Sequence, residues 1–242
     1  MAQGLTRLID NDDLEVSFAG RPGVGGQPVM VAFTGIRQGL GGIETEGPEF
    51  RRISRLYGAT YFVVDRRQSW GNAVDFDALR ALVAETTPGA EIDMIGNSMG
   101  GFMALASAGP MRARLVLAFS PQFSVKPDIV PFERRWQAQR NAITNWRFPS
   151  LQNCWSDAAK YFVFFGDQPP DSHHAALFPK RDNLLLTQVP GNHGLAKRLK
   201  GAGLLYETIE RCLAGTYRPD WLLSALRDAP MLSGAIPAPD HS

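Results

Sequence analysis

The stretch Ile92–Leu105 constrains the fold more than any other part of the chain. It reads as a short apolar strand, a tight turn and a helix that begins with small residues. The turn, residues 96–100, has the sequence GNSMG and matches the pattern G-x-S-x-G, which places a serine on a sharp bend between a buried strand and a helix. Gly96 and Gly100 leave room for the strained backbone that Ser98 would adopt there. The stretch therefore predicts a parallel sheet with a serine at the carboxyl end of one strand.

Apolar runs alternate with helical patterns along most of the chain. The predicted strands are 14–18, 29–33, 60–64, 91–95, 114–119, 160–165 and 183–189, and the predicted helices are 48–57, 76–85, a helix from about 99, 204–213 and 219–227. Strands that are apolar on both faces and alternate with helices are typical of parallel sheets covered on both sides. We therefore predict a single α/β domain over residues 1–242, with a mostly parallel sheet flanked by helices on both faces.

Residues 122–157 interrupt this alternation. The segment is rich in proline, tryptophan and arginine and lacks the pattern of a buried strand. We expect it to be an insertion of one or two helices that follows the strand ending near Phe119. Residues 228–242 are rich in proline and are expected to form a loose tail.

Composition excludes several classes of protein. The net charge is only +1 for 242 residues, so the protein as a whole has no strong positive electrostatic field that would attract nucleic acid. Cys154 and Cys212 are the only cysteines, and their spacing fits neither a disulfide framework nor a metal site. No apolar run reaches the length of a membrane span, and the amino-terminal residues lack the apolar core of a signal peptide. These observations favour a cytoplasmic protein without a metal, a nucleic acid partner or a membrane anchor.

A serine needs a base to become a nucleophile, and histidine is the usual base. The chain has four histidines. His241 is next to the carboxyl terminus, and His173 and His174 lie in a polar, helix-forming stretch that indicates a solvated surface. His193 directly follows the last predicted strand, and ligands of α/β sheets bind at that end of the strands. We therefore predict His193 as the base for Ser98.

The base in turn needs a carboxylate to fix its tautomer. Asp167 follows the predicted strand 160–165 after one glycine, at the same edge of the sheet as His193. Asp171 lies four residues further on and remains an alternative. Asp157 precedes the strand and would face the opposite end. Asp167 is the preferred acid on this reasoning.

With these residues in place, the chain resembles the α/β-hydrolase superfamily over about residues 14–213. The order Ser98, Asp167, His193 is the order of the catalytic triad in that superfamily. Residues 65–72 are similar to that superfamily's loop of pattern D-x-R-G-x-G-x-S, although Gln68 and Asn72 depart from it. Residues 118–121 look like the usual end of the strand before the cap. The resemblance implies that the insertion, residues 122–157, is a small helical lid.

The resemblance also implies a reaction. Ser98 would attack an acyl carbonyl, and the N–H of Met99 would stabilise the oxyanion together with an N–H from Thr34 or Gly35. The expected activity is hydrolysis of a carboxylic ester or thioester, with no cofactor. Acyl transfer to an alcohol, and ligand binding without turnover, remain alternatives.

The substrate is expected to be a small acyl compound. Basic residues outnumber acidic ones in the insertion, which favours an anionic substrate over a neutral one if they face the site. Arg134 and Trp136 in the insertion and Arg37 after Gly35 are the candidate substrate contacts. A solvated helix face is nevertheless the preferred explanation of the basic residues, and packing within the insertion is the preferred explanation of the tryptophans.

Overall fold

A computed structural model describes residues 4–23, 26–36 and 49–229 of the chain. Within these ranges the chain forms an eight-stranded sheet and seven α-helices. The strands are β1 (Thr6–Asp10), β2 (Leu14–Gly20), β3 (Val29–Phe33), β4 (Ala59–Asp65), β5 (Ile92–Asn97), β6 (Ala113–Phe119), β7 (Lys160–Gly166) and β8 (Leu184–Val189). The helices are α1 (Phe76–Thr86), α2 (Met99–Ala106), α3 (Gln137–Asn141), α4 (Asp171–Ala175), α5 (Leu195–Gly201), α6 (Leu204–Leu213) and α7 (Pro219–Asp228).

The strand order is β1-β2-β4-β3-β5-β6-β7-β8. The pairs β1–β2 and β2–β4 are antiparallel, and all the other neighbours are parallel. This arrangement confirms the predicted α/β class with a mostly parallel sheet. Strand β1 was not predicted, because most of its residues are polar or exposed and it lies at the edge of the sheet.

The centre of the sheet is buried from end to end. Every residue of β3 and of β4 is buried, in agreement with their continuous apolar sequences. Helix α2 packs against β3, β5 and β6, and its residues are apolar or glycine throughout. Because α2 starts directly after β5, its packing fixes the turn that carries Ser98.

The segment between β6 and β7 differs from the expected helical lid. It contains one short helix, α3, and otherwise consists of turns and extended chain. Four prolines, at positions 121, 127, 131 and 149, remove backbone donors and so prevent longer helices. Val125, Val130 and Leu151 are buried, so these parts of the segment belong to the hydrophobic core.

The chain divides into two compact units, the first ending at Leu195 and the second starting at Ala196. In the second unit, Tyr217 packs edge-on against Trp221, and the guanidinium of Arg211 lies 4.1 Å from the ring of Trp221. Residues 230–242, most of the predicted tail, lie outside the described residues. Residue 48 of the predicted helix 48–57 also lies outside them, and the middle of that segment forms a short 3₁₀ helix, Arg51–Arg55, in place of an α-helix.

No helix in the described parts of the chain has both the length and the apolar character needed to cross a membrane.

Candidate active site

Ser98 lies on a strained turn between β5 and α2. Its backbone has φ 55° and ψ −121°, an unfavourable combination for any residue with a side chain. A Cβ atom on Gly96 would lie 2.1 Å from the carbonyl oxygen of Gly100, and one on Gly100 would lie 2.2 Å from the carbonyl oxygen of Phe33. Only glycine fits at both positions. The turn is therefore tightly enclosed by its neighbours, which hold Ser98 in place.

His193 lies within hydrogen-bonding distance of Ser98. Its Nε2 is 2.9 Å from Ser98 Oγ, although the two residues are 95 positions apart. The imidazole is reached by solvent over a quarter of its surface, whereas Ser98 is buried. His193 lies in the loop that follows β8, at the carboxyl end of that strand. The structure thus brings together the predicted serine and the predicted base.

Asp171 is the carboxylate that contacts His193. Its two oxygens lie 2.9 and 3.1 Å from Nδ1 of the imidazole, and the residue is buried. Because Nδ1 must carry a hydrogen to bond with a carboxylate, Nε2 is left as the acceptor for the hydroxyl of Ser98. The three side chains form one continuous hydrogen-bonded series.

Asp167, the preferred acid, does not fill this position. It is exposed, its N–H donates to the carbonyl of Val189, and its Oδ1 accepts a hydrogen bond from the N–H of Gly191 at 3.0 Å. Backbone pairing with the end of β8 continues past Gly166 to Asp167, whose side chain contacts the loop after β8 and not the imidazole. The chain reaches the imidazole only four residues later, at the first residue of α4. Asp167 instead stabilises the loop that carries His193, through its hydrogen bond with Gly191.

The predicted oxyanion donors differ in their surroundings. Met99 is the first residue of α2, so its N–H has no acceptor within the helix. The N–H of Thr34 donates to the carbonyl of Val63 at 2.9 Å, and the N–H of Gly35 donates to the Glu49 carboxylate at 3.1 Å. Both donors that the sequence suggested after β3 are therefore engaged within the protein.

Gln122 contacts Ser98 directly and was not predicted. Its Nε2 donates to Ser98 Oγ at 3.1 Å, and its Oε1 accepts a hydrogen bond from the indole N–H of Trp70 at 3.0 Å. Gln122 and Trp70 are both fully buried. The available signal was its place just after β6, where the carboxyl ends of parallel strands gather polar side chains.

A second buried histidine–carboxylate pair lies beside this group. His174 Nε2 is 3.0 Å from Glu133 Oε2, and His174 Nδ1 accepts the N–H of Phe123 at 3.2 Å. Burial lowers the pKa of His174 and outweighs the opposing effect of Glu133. Burial raises the pKa of Glu133, but hydrogen bonds from His174 and Arg135 outweigh it and bring the pKa well below its usual range. His174 is thus neutral and enclosed, and the prediction of a solvated surface residue was wrong for it.

Arg135 joins the two pairs. Its Nη2 lies 2.6 Å from Glu133 and 3.6 Å from Asp171 Oδ1. The predicted contact Arg134 is exposed, and its carbonyl accepts a hydrogen bond from Gln137. Trp136 packs partly buried against the core. Arg37 lies outside the described residues. Arg135, and not the predicted Arg134 next to it, is therefore the cation of the insertion that lies near Asp171.

A cavity of about 370 Å³ lies elsewhere, near the last residue of α2, and its lining includes Arg147, Cys154 and Trp155. None of Ser98, His193 and Asp171 lines it. Burial raises the pKa of Cys154 to about 11, so its sulfur is a thiol and a poor nucleophile at neutral pH. Within the described residues, no group of three or more His, Cys, Asp or Glu side chains is placed to hold a metal ion.

A serine on a strained strand-to-helix turn, hydrogen-bonded to a histidine that contacts a carboxylate, is the arrangement of the serine hydrolases. The sequence matches the model of the Alpha/beta hydrolase family over residues 39–235, and the chain belongs to that family. This match confirms the resemblance inferred from the motifs. Among curated proteins, no significant match to the chain was found.

Solved structures share the fold at low sequence identity. The Glycosylation Associate Protein (Gap123) complex from Streptococcus agalactiae is similar over 89% of this chain and 47% of its own, with 16% identity and a TM-score of 0.57. XC6422 from Xanthomonas campestris, described as an a/b serine hydrolase without lid, is similar over 86% and 94%, with 18% identity and a TM-score of 0.52. The capsule O-acetyltransferase of Neisseria meningitidis serogroup A is similar over 93% and 95%, with 11% identity and a TM-score of 0.57.

The chain thus spans about half the length of the Streptococcus agalactiae chain and nearly all of the other two. Its fold is that of the α/β hydrolases, and both a serine hydrolase and an acyltransferase are among the proteins that share it.

Proposed function

We propose that the protein is a serine hydrolase that cleaves a carboxylic ester or thioester through an acyl-enzyme on Ser98. The observation that carries this proposal is the unbroken series of hydrogen bonds from Ser98 through His193 to Asp171. Each side chain has the chemical type and the orientation that its role requires.

The reaction follows from this geometry. Ser98 Oγ attacks the acyl carbonyl while its proton passes to His193 Nε2, and Asp171 stabilises the imidazolium that forms. The N–H of Met99 donates to the oxyanion of the tetrahedral intermediate. His193 then returns the proton to the leaving alcohol or thiol, which departs. Water repeats the sequence on the acyl-enzyme, so that a carboxylic acid and the free Ser98 hydroxyl are the products.

A fluorophosphonate probe and p-nitrophenyl esters of short acids test the proposal. We expect the probe to label Ser98, located by peptide mapping, and Ser98→Ala to lose labelling and ester turnover. Ser54→Ala is the matched control, because the hydroxyl of Ser54 donates to the nearby carbonyl of Arg51 and, among the described residues, contacts none of Ser98, His193 and Asp171. Absence of labelling in the folded wild-type protein at high probe concentration would favour ligand binding without turnover.

Acyl transfer to an alcohol is a second candidate. The similarity to a capsule O-acetyltransferase over nearly the whole of both chains favours it. The two activities share the acyl-enzyme and differ only in whether water or an alcohol attacks it. A panel of sugar alcohols and glycans in the ester assay separates them, since a transferase forms the new ester in preference to the free acid.

A further inference from the structure

Asp171 is a buried carboxylate whose contact with His193 does not balance its charge. Only 2% of the residue is exposed, and both of its oxygens lie within hydrogen-bonding distance of Nδ1 of the imidazole. In the resting state of the proposed mechanism the imidazole is neutral, because it has yet to accept the proton of Ser98. A buried ion without a partner of opposite charge is costly, so a cation is expected close to Asp171.

Arg135 provides this cation. Its Nη2 lies 3.6 Å from Asp171 Oδ1, which is within ion-pair distance. In the parts of the chain that the structure describes, no other arginine or lysine lies as close to Asp171. A guanidinium does not lose its proton in proteins, so the positive charge beside Asp171 is permanent.

Glu133 fixes the orientation of Arg135. The backbone N–H and Nε of Arg135 each donate to Glu133 Oε1 at 2.9 Å, and Nη2 donates to Oε2 at 2.6 Å. Glu133 is itself buried, and its Oε2 lies 3.0 Å from His174 Nε2. Several bonds to one buried carboxylate hold the guanidinium in a defined position, in which Nη2 is close to both Glu133 and Asp171.

Helix α4 joins these contacts. Asp171 and His174 are three residues apart in α4, a spacing that places two side chains on the same face of a helix. Glu133 contacts His174, and Arg135 lies beside Asp171, so the segment between β6 and β7 meets this face at two points. Asp171 is thus contacted by His193 on one side and by this segment on the other.

We propose that Arg135 is a positioning residue of the site, which balances the charge of Asp171 and so keeps its carboxylate oriented on His193. This inference rests on the proposed hydrolase function. Arg135 acts through Asp171, because it contacts neither Ser98 nor the imidazole among the described residues, and no bond to it forms or breaks in the reaction. Glu133 in turn holds Arg135 in the position that this role requires.

Replacement of Arg135 by methionine removes the charge and keeps much of the side-chain volume. In Arg135→Met we expect kcat for p-nitrophenyl esters to fall about tenfold or more, with KM within about threefold of the wild type. The reason is that two buried carboxylates, Asp171 and Glu133, would remain without the cation that lies close to both. Circular dichroism and thermal unfolding establish that the variant is folded.

Two further single variants separate the charge of Arg135 from other effects. Arg135→Lys keeps a positive charge and should recover most of the lost kcat. Arg7→Met is the matched control, because it removes the same charge from an exposed ion pair with Asp10 on the edge strand β1. Its kcat should stay within about threefold of the wild type.

A double substitution tests whether Arg135 acts through Asp171. In an Asp171→Asn background, Arg135→Met should lower kcat by no more than about a further threefold, because the amide carries no charge to balance. A general contribution of Arg135 to the packing of the segment would lower kcat by the same factor in both backgrounds.

A second double substitution removes the charge pair as a whole. Glu133→Gln combined with Arg135→Met leaves no unpaired carboxylate at position 133, which protects the fold if Arg135→Met alone is unstable. Its kcat should still lie about tenfold or more below that of Glu133→Gln, because Asp171 lacks a counter-charge in the double variant only.

Each outcome decides a different point. A wild-type protein with no turnover that depends on Ser98 overturns the proposed function and this inference with it. With an active wild type, an unchanged kcat in folded Arg135→Met, or an equal fall with and without Asp171→Asn, overturns this inference alone. A rise in KM at unchanged kcat does the same, because it would make Arg135 a substrate contact. Equal kcat in Glu133→Gln with and without Arg135→Met would limit Arg135 to balancing Glu133 and also overturns the inference.

Discussion

Two histidine–carboxylate pairs lie side by side in the first unit of the protein and have nearly the same geometry. His193 Nδ1 is 2.9 Å from Asp171, and His174 Nε2 is 3.0 Å from Glu133. They differ in what the second ring nitrogen contacts. In His193 it faces the hydroxyl of Ser98, whereas in His174 it accepts the backbone N–H of Phe123.

In the proposed mechanism, this difference separates a pair that transfers a proton from one that does not. Both ring nitrogens of His174 are engaged by fixed partners, and its burial keeps solvent away. His193 has the hydroxyl of Ser98 on one side and a quarter of its surface open to solvent. A histidine beside a carboxylate is therefore informative about catalysis only when the other ring nitrogen is also known.

The largest expected effect comes from removing the two imidazoles in turn. His193→Gln should lower kcat for p-nitrophenyl esters by about 10⁴-fold or more, because Ser98 loses its base. His174→Gln should keep kcat within about tenfold in the folded protein, measured by the same assay. A comparable loss of kcat in both variants would mean that the two pairs act together and would contradict the separate roles of His193 and His174.

The next largest change in kcat is expected from substitution of one of the two aspartates after β7. Asp171→Asn should lower kcat by about 10³–10⁴-fold, because the amide no longer holds the required tautomer of His193. Asp167→Asn should change kcat by no more than about threefold, since Asp167 contacts the loop backbone and not the imidazole. Steady-state kinetics with one ester measure both. The reverse ranking would restore Asp167 as the acid.

The smallest expected effect is a dependence of the unfolding free energy on pH. The pKa of His174 is lowered from its usual 6.5 in the folded protein, so the unfolded chain binds a proton near and below pH 6.5 that the folded chain does not. The unfolding free energy should therefore fall as pH falls from 7.0 to 5.5, by at most about 1.4 kcal/mol per pH unit from this one proton.

Urea denaturation at several pH values measures this slope. His174→Gln should flatten it, while the exposed neighbour His173 provides the control, and His173→Gln should leave the slope as it is in the wild type. An unchanged slope in His174→Gln would assign the pH dependence to other groups.

The sequence predicted the sheet and two members of the site for specific reasons. Ser98 lies in a local motif whose flanking strand and helix are visible as apolar patterns, and His193 was found by elimination among four histidines. Asp171 was ranked second, because the number of residues between the end of β7 and the imidazole depends on the path of the loop. No periodic pattern encodes that path.

The remaining contacts could not be derived from sequence alone. Gln122 lies 24 positions from Ser98, and Glu133 lies 41 positions from His174. Both belong to the segment between β6 and β7, whose conformation depends on turns and on burial against the core. Polar residues in such a segment look like surface residues until the tertiary structure shows them buried.

Gln122, Glu133 and Arg135 all lie in the segment between β6 and β7, so a change of that segment, by engineering or by divergence within the family, also changes the surroundings of the site. A chimaera that exchanges residues 120–159 for the corresponding segment of another member would also exchange the partners of Ser98, His174 and Asp171. Grafting only the serine, histidine and aspartate onto a related scaffold would leave those partners behind. Transplanting this site therefore requires both the sheet-edge loops and the first half of that segment to move as one unit.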